Sequence, residues 1–451
     1  MPQPNIIYMH SHDTGRYIQP YGYGVSTPRM QRFAEEGVVF RQAFCANPTC
    51  SPSRAALLTG QYAHVCGMLG LVNRGWTLEH PERHLAHTLR KAGYQTALAG
   101  VHHVTKDVTQ QGYERLLVQE QKDLPNAERA VQFIGEKHTR PFYLDVGFIE
   151  THRRGQHFGP PPPGEAHSDA RWLRPPAPFP DNARTREDMA LYADSARLLD
   201  VYYGQILDAL DAAGLRENTL VVCTTDHGIA FPGMKCHLTD HGTGVLLMLR
   251  GPGFTGGQVL DAMVSHLDVY PTVCEAAGVA KPEWLQGHSL APLARGEKTE
   301  LREELFAEVN FHAAYEPQRA VRTKRWKYIR RYDRRSSAVL PNCDDSESKT
   351  WWLEQGWREQ TIAEERLYDL AFDPHETANR AGDPACAEVL KDLRARLERW
   401  MRATNDPLLK SPVLDAPETG EVNDANGNSP GSEAHFPARK WLKETYGKAG
   451  G

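Results

Sequence analysis

The chain has 451 residues, of which 40% are hydrophobic and 24% charged, and its formal net charge is −5. This composition is typical of a globular protein long enough for one large α/β domain and a smaller one, and the weak negative charge excludes a dominant basic surface for nucleic acid or an anionic membrane. No apolar stretch approaches the length that spans a membrane.

Short apolar runs alternate with amphipathic stretches through the first two-thirds of the chain. The runs predicted to be buried strands are residues 6–9, 95–99, 142–148, 220–224 and 245–249. The predicted helices are residues 27–36, 82–92, 126–137, 193–213 and 267–277. This alternation predicts an α/β fold with a large, mostly parallel sheet sandwiched by helices.

Polar side chains directly follow four of these strands. The residues after the first to the fourth strand are, in order, His12 with Asp13, His103, His152, and Asp226 with His227. Because ligands of open α/β sheets bind at the carboxyl ends of the strands, we expect these side chains to converge on one site. Two carboxylates beside imidazoles suit a divalent cation, although a lone aspartate is more often a loop or helix cap.

The character of the chain changes twice outside this pattern. Residues 153–187 are rich in proline and arginine and predict a long loop of the kind that often carries function. Residues 1–300 are predicted as the α/β domain, and residues 301–451 as a C-terminal α+β subdomain with antiparallel strands, a polar loop around 341–349, a helix over 387–403 and an irregular tail. That tail, from Ser411, either wraps the domain or stays disordered.

Two further observations bear on the compartment. The eight cysteines are scattered and form no Cys-x-x-Cys pair, which is more typical of a reducing compartment than of a disulfide framework. The sequence also starts without the basic segment and long apolar run of a signal peptide. We therefore expect a cytoplasmic protein.

The most informative segment is residues 50–60, Cys-Ser-Pro-Ser-Arg-Ala-Ala-Leu-Leu-Thr-Gly. Pro52 fits a first helical turn and Gly60 a C-terminal cap, so Cys50 is expected beside a helix N-terminus, where free N–H groups and the helix dipole favour an anion. Arg54, one turn later, reaches back towards the same end. The alternatives are a buried thiol for Cys50 and a surface salt bridge for Arg54.

This string resembles the signature of the sulfatase family, in which the cysteine is oxidised after synthesis to formylglycine. The resemblance covers nearly the whole chain and is strongest to the heparan N-sulfatase (sulfamidase) branch of the alkaline-phosphatase superfamily. The segments similar to that branch are residues 100–104, 147–153, 226–235 and 312–322, followed by a general family ending at 367–374.

The resemblance implies catalytic roles, residue by residue. As formylglycine hydrate, Cys50 is the nucleophile and a metal ligand, and Arg54 stabilises its oxyanion. His103 acts as the base, His152 protonates the leaving oxygen or nitrogen, and Lys235 binds the sulfate group. Histidine suits the acid and base roles because its unperturbed pKa lies near neutrality.

The resemblance also implies substrate contacts. Arg153, His312 and Arg319 are expected to form a polar rim for a charged sugar, since arginine pairs bidentately with carboxylate and sulfate-like anions. The alternative for these residues is a solvated surface. Val101 stands where the family has a lysine, and Lys106 or His102 is expected to supply that charge unless the substrate needs less of it.

The metal ligands implied by the resemblance are His12, Asp13, Cys50, Asp226 and His227. The family commonly has an Asp-Asp pair at the first strand and Asp-Asn at the later one, so His12 and His227 make this set richer in nitrogen. Ca²⁺ follows from the resemblance, whereas imidazole ligands suit Mn²⁺ or Zn²⁺.

The leading interpretation is a formylglycine- and metal-dependent sulfatase that hydrolyses a sulfate ester or sulfamate on a saccharide, with N-sulfated glucosamine the first substrate to test. A maturase that oxidises Cys50 is then a partner, whereas nucleic acid and membranes are not, and a homo-oligomer is compatible with the sequence. The alternatives are a phosphonate monoester or phosphodiester hydrolase of the same superfamily and a non-catalytic sugar-binding relative.

Overall fold

The computed structural model of the protein describes residues 3–431 and 435–447. Its strands are β1 Asn5–Ser11, β2 Val38–Phe40, β3 Ala43–Phe44, β4 Gln95–Gly100, β5 Arg115–Leu116, β6 Phe142–Gly147, β7 Thr219–Thr225, β8 Leu247–Arg250, β9 Gln258–Leu260, β10 Val264–Ser265, β11 Leu305–Phe311, β12 Tyr315–Arg322, β13 Trp326–Arg331, β14 Glu365–Asp369, β15 Glu421–Asn423 and β16 His435–Pro437. Its α-helices are α1 Pro28–Glu36, α2 Cys50–Thr59, α3 Ala63–Cys66, α4 Leu85–Lys91, α5 Leu117–Glu120, α6 Asn126–Ile134, α7 Ala183–Ala212, α8 Asp240–Thr243, α9 Val269–Ala277, α10 Ala291–Ala294, α11 Glu347–Glu354, α12 Ala387–Ala403 and α13 Ala438–Tyr446.

The large sheet has the strand order β5-β4-β6-β1-β7-β8-β2-β9. Strand β8 runs antiparallel to β7 and β2, and the other neighbours run parallel. Every residue of β1, β6 and β7 is buried, as expected for strands covered by helices on both faces. The predicted fold class is therefore confirmed.

Side chains of β1 alternate between two cores. Ile6 and Tyr8 pack with residues of α2 and α4 on one face, whereas Ile7 and Met9 pack with residues of α6 and α7 on the other. Because this central strand is fixed from both sides, its carboxyl end, where His12 and Asp13 follow, has a well-defined position.

Helix α7 begins at Ala183 rather than at the predicted residue 193. The side chain of Asn182 accepts a hydrogen bond from the Thr185 N–H, and the Thr185 hydroxyl accepts one from the Asn182 N–H. This capping box starts the helix early. The predicted loop over 153–187 therefore ends at Asn182, and its last residues are helical.

A second, antiparallel sheet has the order β11-β12-β13-β14. Helix α12, confirmed at its predicted bounds, packs on it, and Leu390 and Leu397 share one continuous core with Ile6 of the large sheet. Because the two sheets share that core, the domain division at residue 300 stays a prediction.

The tail after Ser411 wraps the molecule in its described part. Leu414, Val422 and Leu442 are buried in the shared core, and Arg74 donates a hydrogen bond to the side chain of Asn423 (2.8 Å). Residues 432–434 and 448–451 lie outside the description. All eight cysteines are buried free thiols. Within residues 3–431 and 435–447, no helix has the length and apolar character needed to cross a bilayer.

Candidate active site

Helix α2 begins at Cys50, as predicted, and ends at Thr59, with Gly60 following at a left-handed φ of 67°. The side-chain carbonyl of Asn47 accepts hydrogen bonds from the Thr49 N–H (3.1 Å) and hydroxyl (2.6 Å), and Thr49 is extended. This turn leads directly into the helix. All ten residues of the helix are buried. Cys50 thus lies at a helix N-terminus under the carboxyl ends of the strands.

The ends of β1, β6 and β7 are tied together by hydrogen bonds. The His12 N–H donates to the Glu150 carbonyl (2.9 Å), and the Thr151 N–H donates to the His12 carbonyl (2.7 Å). The Asp13 N–H donates to Oδ1 of Asp226 (2.8 Å). These bonds bring the side chains that follow three separate strands into one cluster.

Two overlapping groups of side chains offer ligand atoms that all lie within 4.8 Å of one another. They are Asp13, Cys50, Asp226 and His227, and His12, Asp13, Cys50 and His152. Cys50 Sγ is 3.4 Å from His227 Nε2, which is 3.3 Å from Asp13 Oδ1. The structure therefore brings together all five predicted metal ligands and adds His152.

The buried polar atoms of this cluster that lack a hydrogen bond indicate whether it suits a cation. Asp13 Oδ1 and both ring nitrogens of His12 are buried without an aligned hydrogen bond from any described residue, although His12 Nδ1 lies 3.0 Å from Asp226 Oδ2. A buried polar group left unpaired costs about 1–3 kcal/mol. A cation held by these carboxylate and imidazole atoms would remove that penalty, so the residues fit a divalent metal.

Arg54 is fully enclosed and charged. One of its Nη atoms donates to the Ser11 carbonyl (2.8 Å) and to Asp226 Oδ2 (3.0 Å). Burial by itself lowers the pKa of Arg54, but Asp226 and the other acidic groups around it together outweigh burial, and the pKa is raised. Conversely, burial raises the pKa of Asp226, while His227 and Arg54 hold it well below its usual range.

Cys50 is 2% exposed. Burial raises the pKa of its thiol well above the usual value, despite the opposing charge of Lys235. An unmodified Cys50 is therefore a neutral thiol, and a neutral thiol is a poor nucleophile.

Lys235 connects the cluster to the second sheet region. Its ammonium lies 2.9 Å from Asp13 Oδ2, 2.9 Å from Asp344 Oδ2 and 3.5 Å from His152 Nε2. Burial disfavours the charge, but Asp13 and Asp344 raise the pKa of Lys235 well above its usual value. A fixed cation beside the metal cluster can bind an anionic group.

The two histidines predicted for proton transfer differ in environment. His152 Nδ1 lies 2.6 Å from the Arg153 carbonyl, so Nδ1 carries a proton and Nε2 faces Lys235. His152 keeps 29% of its side chain exposed, which gives a leaving group access to it. His103 lies 5.7 Å from His12 between ring centroids, and burial, with a contribution from Arg54, lowers its pKa to about 3, so it is neutral.

The structure does not bring Arg153 and Arg319 to a rim. Arg153 makes a bidentate pair with Asp188 at 2.7 Å and donates to the Ala230 carbonyl (2.8 Å). Arg319 is completely buried and paired with Asp406. Because both guanidinium groups are occupied by protein partners, both residues hold the fold together rather than face a substrate.

His102 does not supply the positive charge that the lysine provides in the family. Its Nε2 lies 3.2 Å from Nε2 of His84, and burial lowers its pKa to about 4, so it is neutral near pH 7. Lys106 is exposed on the following loop. The fixed positive charges of the site are therefore those of Arg54 and Lys235.

The C-terminal part of the chain contributes two residues. His312 is buried with Nδ1 unpartnered among the described residues, and burial together with Lys235 lowers its pKa well below the usual value. Asp344 was not predicted, since the only signal in the sequence is a polar loop. Burial raises the pKa of Asp344, but Lys235 and His152 outweigh it and the pKa is lowered.

Comparisons with known proteins identify the family and the relatives that this chain resembles. A family model described as Sulfatase matches residues 4–279, and one described as N-sulphoglucosamine sulphohydrolase, C-terminal, matches residues 235–350. Human N-sulphoglucosamine sulphohydrolase is 28% identical over 443 residues, covering 86% of this chain and 88% of the relative. An ulvan-active sulfatase of Formosa agariphila is 26% identical, covering 90% of this chain and 76% of the relative. A structure solved with its substrate D-glucosamine-2-N,6-O-disulfate shares the fold, with a TM-score of 0.67 and 20% identity over 90% of this chain and 98% of that one.

Proposed function

Because the chain belongs to the sulfatase family and is a sulfuric ester hydrolase, we propose that it releases sulfate from a sulfated saccharide, using formylglycine at position 50 and one divalent cation. Membership confirms the resemblance drawn from the motifs, including that to the sulfamidase branch. The observation that carries the proposal is the cluster of Asp13, Cys50, Asp226 and His227 ligand atoms within 4.8 Å at the N-terminus of α2.

The residues of this site have distinct tasks in the proposed reaction. The hydrated aldehyde would supply the attacking oxygen. A cation held by Asp13, Asp226 and His227 would supply positive charge that polarises the sulfate. Arg54 keeps positive charge beside position 50, and Lys235 binds sulfate oxygens. The Nδ1–H of His152 is bound to the Arg153 carbonyl, so its Nε2, which faces the Lys235 ammonium, takes up a proton and delivers it to the leaving atom. Neutral His103 accepts a proton.

The donor set bears on the identity of the cation. Ca²⁺ prefers oxygen ligands, whereas imidazole nitrogens suit Mn²⁺ and Zn²⁺. His12 and His227 both face Asp13 or Asp226, so we propose Mn²⁺ or Zn²⁺ rather than Ca²⁺. Elemental analysis of the purified protein, before and after dialysis against each ion, tests this. Stoichiometric calcium that survives exchange against manganese and zinc would contradict it.

Relatives indicate which substrates to test first. One is named an N-sulphoglucosamine sulphohydrolase and others are ulvan-active sulfatases. N-sulfated glucosamine is therefore our first substrate, followed by O-sulfated saccharides. His312 and Asp344, rather than Arg153 and Arg319, are proposed as the side chains near the bound sugar.

The experiment is a direct comparison of substrates. Protein coexpressed with a formylglycine-generating maturase is assayed on N-sulfated glucosamine, O-sulfated glucosamine, an aryl sulfate and an aryl phosphonate monoester, with the Cys50→Ala protein as control. We expect sulfate release from at least one saccharide, abolished in the control. Phosphonate turnover far above that of every sulfate would reject the proposal in favour of the phosphonate hydrolase, and no turnover by mature, metal-loaded protein would favour a sugar-binding relative.

A further inference from the structure

A chain of buried polar side chains lies behind Arg54. His10, in the central strand β1, places Nε2 2.8 Å from Oδ1 of Asp145 on the neighbouring strand β6. Its other ring nitrogen, Nδ1, contacts Nη1 of Arg54. All three residues are at most 2% exposed. The chain Asp145–His10–Arg54 therefore runs from the middle of the sheet to helix α2 without reaching solvent.

The chemistry of the partners fixes the proton positions in this chain. A guanidinium group only donates hydrogen bonds, so His10 Nδ1 must accept from Arg54. The proton of a neutral imidazole then sits on Nε2, which donates to the Asp145 carboxylate. The Tyr113 hydroxyl donates to the other oxygen of Asp145. Both ring nitrogens of His10 and both carboxylate oxygens of Asp145 thus have a partner of the right kind, and only one tautomer of His10 serves both of its neighbours.

Stability alone is a poor reason for this arrangement. Ile6 and Tyr8, which precede His10 on the same face of β1, are apolar and aromatic core residues. Replacing a buried ionic network by well-packed apolar residues is often neutral or stabilising. A histidine and an aspartate in the centre of the main sheet are better explained by what they do to Arg54.

The effect on Arg54 is to fix its plane. Nη2 is held by the Ser11 carbonyl and Asp226, and Nη1 is held by His10. These contacts leave Nε as a buried donor without a partner among the described residues. Cys50 lies one turn earlier on the same helix, and residues four apart share a helix face. Orientation of the guanidinium decides whether its free donor can serve the group at position 50.

We propose that His10, held by Asp145, is a positioning residue for Arg54, acting as a fixed acceptor that sets the orientation of the guanidinium. His10 does not touch the reacting atoms. The inference rests on the proposed function only in assigning Arg54 to the reaction, and it is independent of which sulfate ester is cleaved.

The test is a double-mutant cycle with kcat and KM measured separately, on the substrate that the wild-type protein turns over best. We expect His10→Leu to lower kcat by about 10- to 100-fold, the scale of an ångström-level misplacement, with KM within about threefold. His10→Gln, whose amide can accept from Arg54 and donate to Asp145, should recover most of the loss. In an Arg54→Ala background, His10→Leu should lower kcat by less than about threefold further, because residues that act as a unit are not additive.

His64→Leu is the matched control. It removes another buried histidine–carboxylate pair, with Glu308 at 2.9 Å, that does not contact Arg54. It should lower the melting temperature and leave kcat close to wild type. His10→Leu would overturn the proposal if it lowered only the melting temperature, or if its loss of kcat multiplied with that of Arg54→Ala.

Two further measurements test the proposal if His10→Leu does not fold or if the proposed function is wrong. If His10→Leu does not fold, His10→Phe, which keeps a planar ring of similar size but has no acceptor for Arg54, should show the same loss of kcat. If the wild-type protein turns over neither sulfate nor phosphonate, crystal structures of wild type and the folded variant decide. A displaced Arg54 guanidinium supports the proposal, and an unmoved one overturns it.

Discussion

The carboxylate of Asp344 lies 2.9 Å from the ammonium of Lys235. Asp344 lies in the chain between β13 and β14 of the antiparallel sheet, whereas Lys235 follows β7 of the large sheet and pairs with Asp13 as well. The C-terminal third of the chain therefore contributes a charge to a site built at the other sheet. The negative charge of Asp344 lies beside Lys235, the residue proposed to bind sulfate. It therefore weakens the electrostatic attraction of the site for anions.

We expect Asp344→Asn to strengthen inhibition by inorganic sulfate about 3- to 10-fold, because it removes a like charge a few ångströms from the bound anion. The measurement is the inhibition constant of sulfate at two ionic strengths. The neighbouring Asp345, which pairs with Lys349, provides the control variant Asp345→Asn. Equal inhibition constants for wild type and Asp344→Asn would contradict the role of this pair.

Cys50→Ala is expected to lower sulfatase turnover by about 10³-fold or more, since it removes the proposed nucleophile. The fold should remain, because alanine fits the first turn of α2 and, among the described residues, the thiol has only His227 as a partner, at 3.4 Å. Intact-protein mass of the wild type reports the extent of oxidation, and melting temperature reports the fold. Activity equal to wild type in the variant would show that position 50 is not the nucleophile.

Asp226→Asn should lose the metal and the activity together, because it removes a charged ligand from the cluster. It also leaves Arg54 without its carboxylate, and breaking a buried pair costs about 3–5 kcal/mol. Asp188→Asn breaks the comparable pair with Arg153 without removing a ligand atom from the cluster. Elemental analysis should therefore show metal in Asp188→Asn and none in Asp226→Asn, although both melt at lower temperature. Metal retained by both variants would remove Asp226 from the ligand set.

Glu308 gives a prediction for the pH dependence of stability. Burial alone raises its pKa, but His64 and Arg319 lower it from 4.5 to about 2. The unfolded chain binds that proton at higher pH than the folded one, so the stabilisation, about 3 kcal/mol, is present above pH 4.5 and lost as the pH falls towards 2. Glu308→Gln should lower the free energy of unfolding at pH 7, with a difference from wild type that shrinks below pH 4.5.

Unfolding at several pH values measures this difference. Glu359→Gln, at an exposed glutamate, is the control and should follow the wild type throughout. A Glu308→Gln deficit that stays constant down to pH 3 would mean that the ion pair does not set the pH dependence.

Most of the successful predictions rest on residues that are close together in the sequence. The turn at Asn47 to Pro52 places Cys50 at a helix start from nearby residues alone, and the rule for parallel sheets places Asp13 and Asp226 together. The early start of α7 was also local, in the reciprocal bonds of Asn182 and Thr185, but such a pair is easily overlooked in a proline-rich segment.

The wrong or missing predictions concern residues whose interaction partners are distant in the sequence. Whether Arg319 faces solvent or the core depends on Asp406, which no pattern around residue 319 reveals. The pairing of Asp344 with Lys235 likewise depends on how the second sheet docks against the first. Tertiary contacts of this kind decide the role of a charged residue more than its local sequence does.

The complete burial of helix α2 has a consequence for the order of events in the life of the protein. An enzyme that oxidises Cys50 needs the thiol and its flanking residues as an accessible segment, whereas the folded chain exposes only 2% of Cys50. The proposed oxidation of Cys50 would therefore have to take place before the newly made chain folds. A molecule that folds with its thiol intact keeps that thiol for as long as it stays folded.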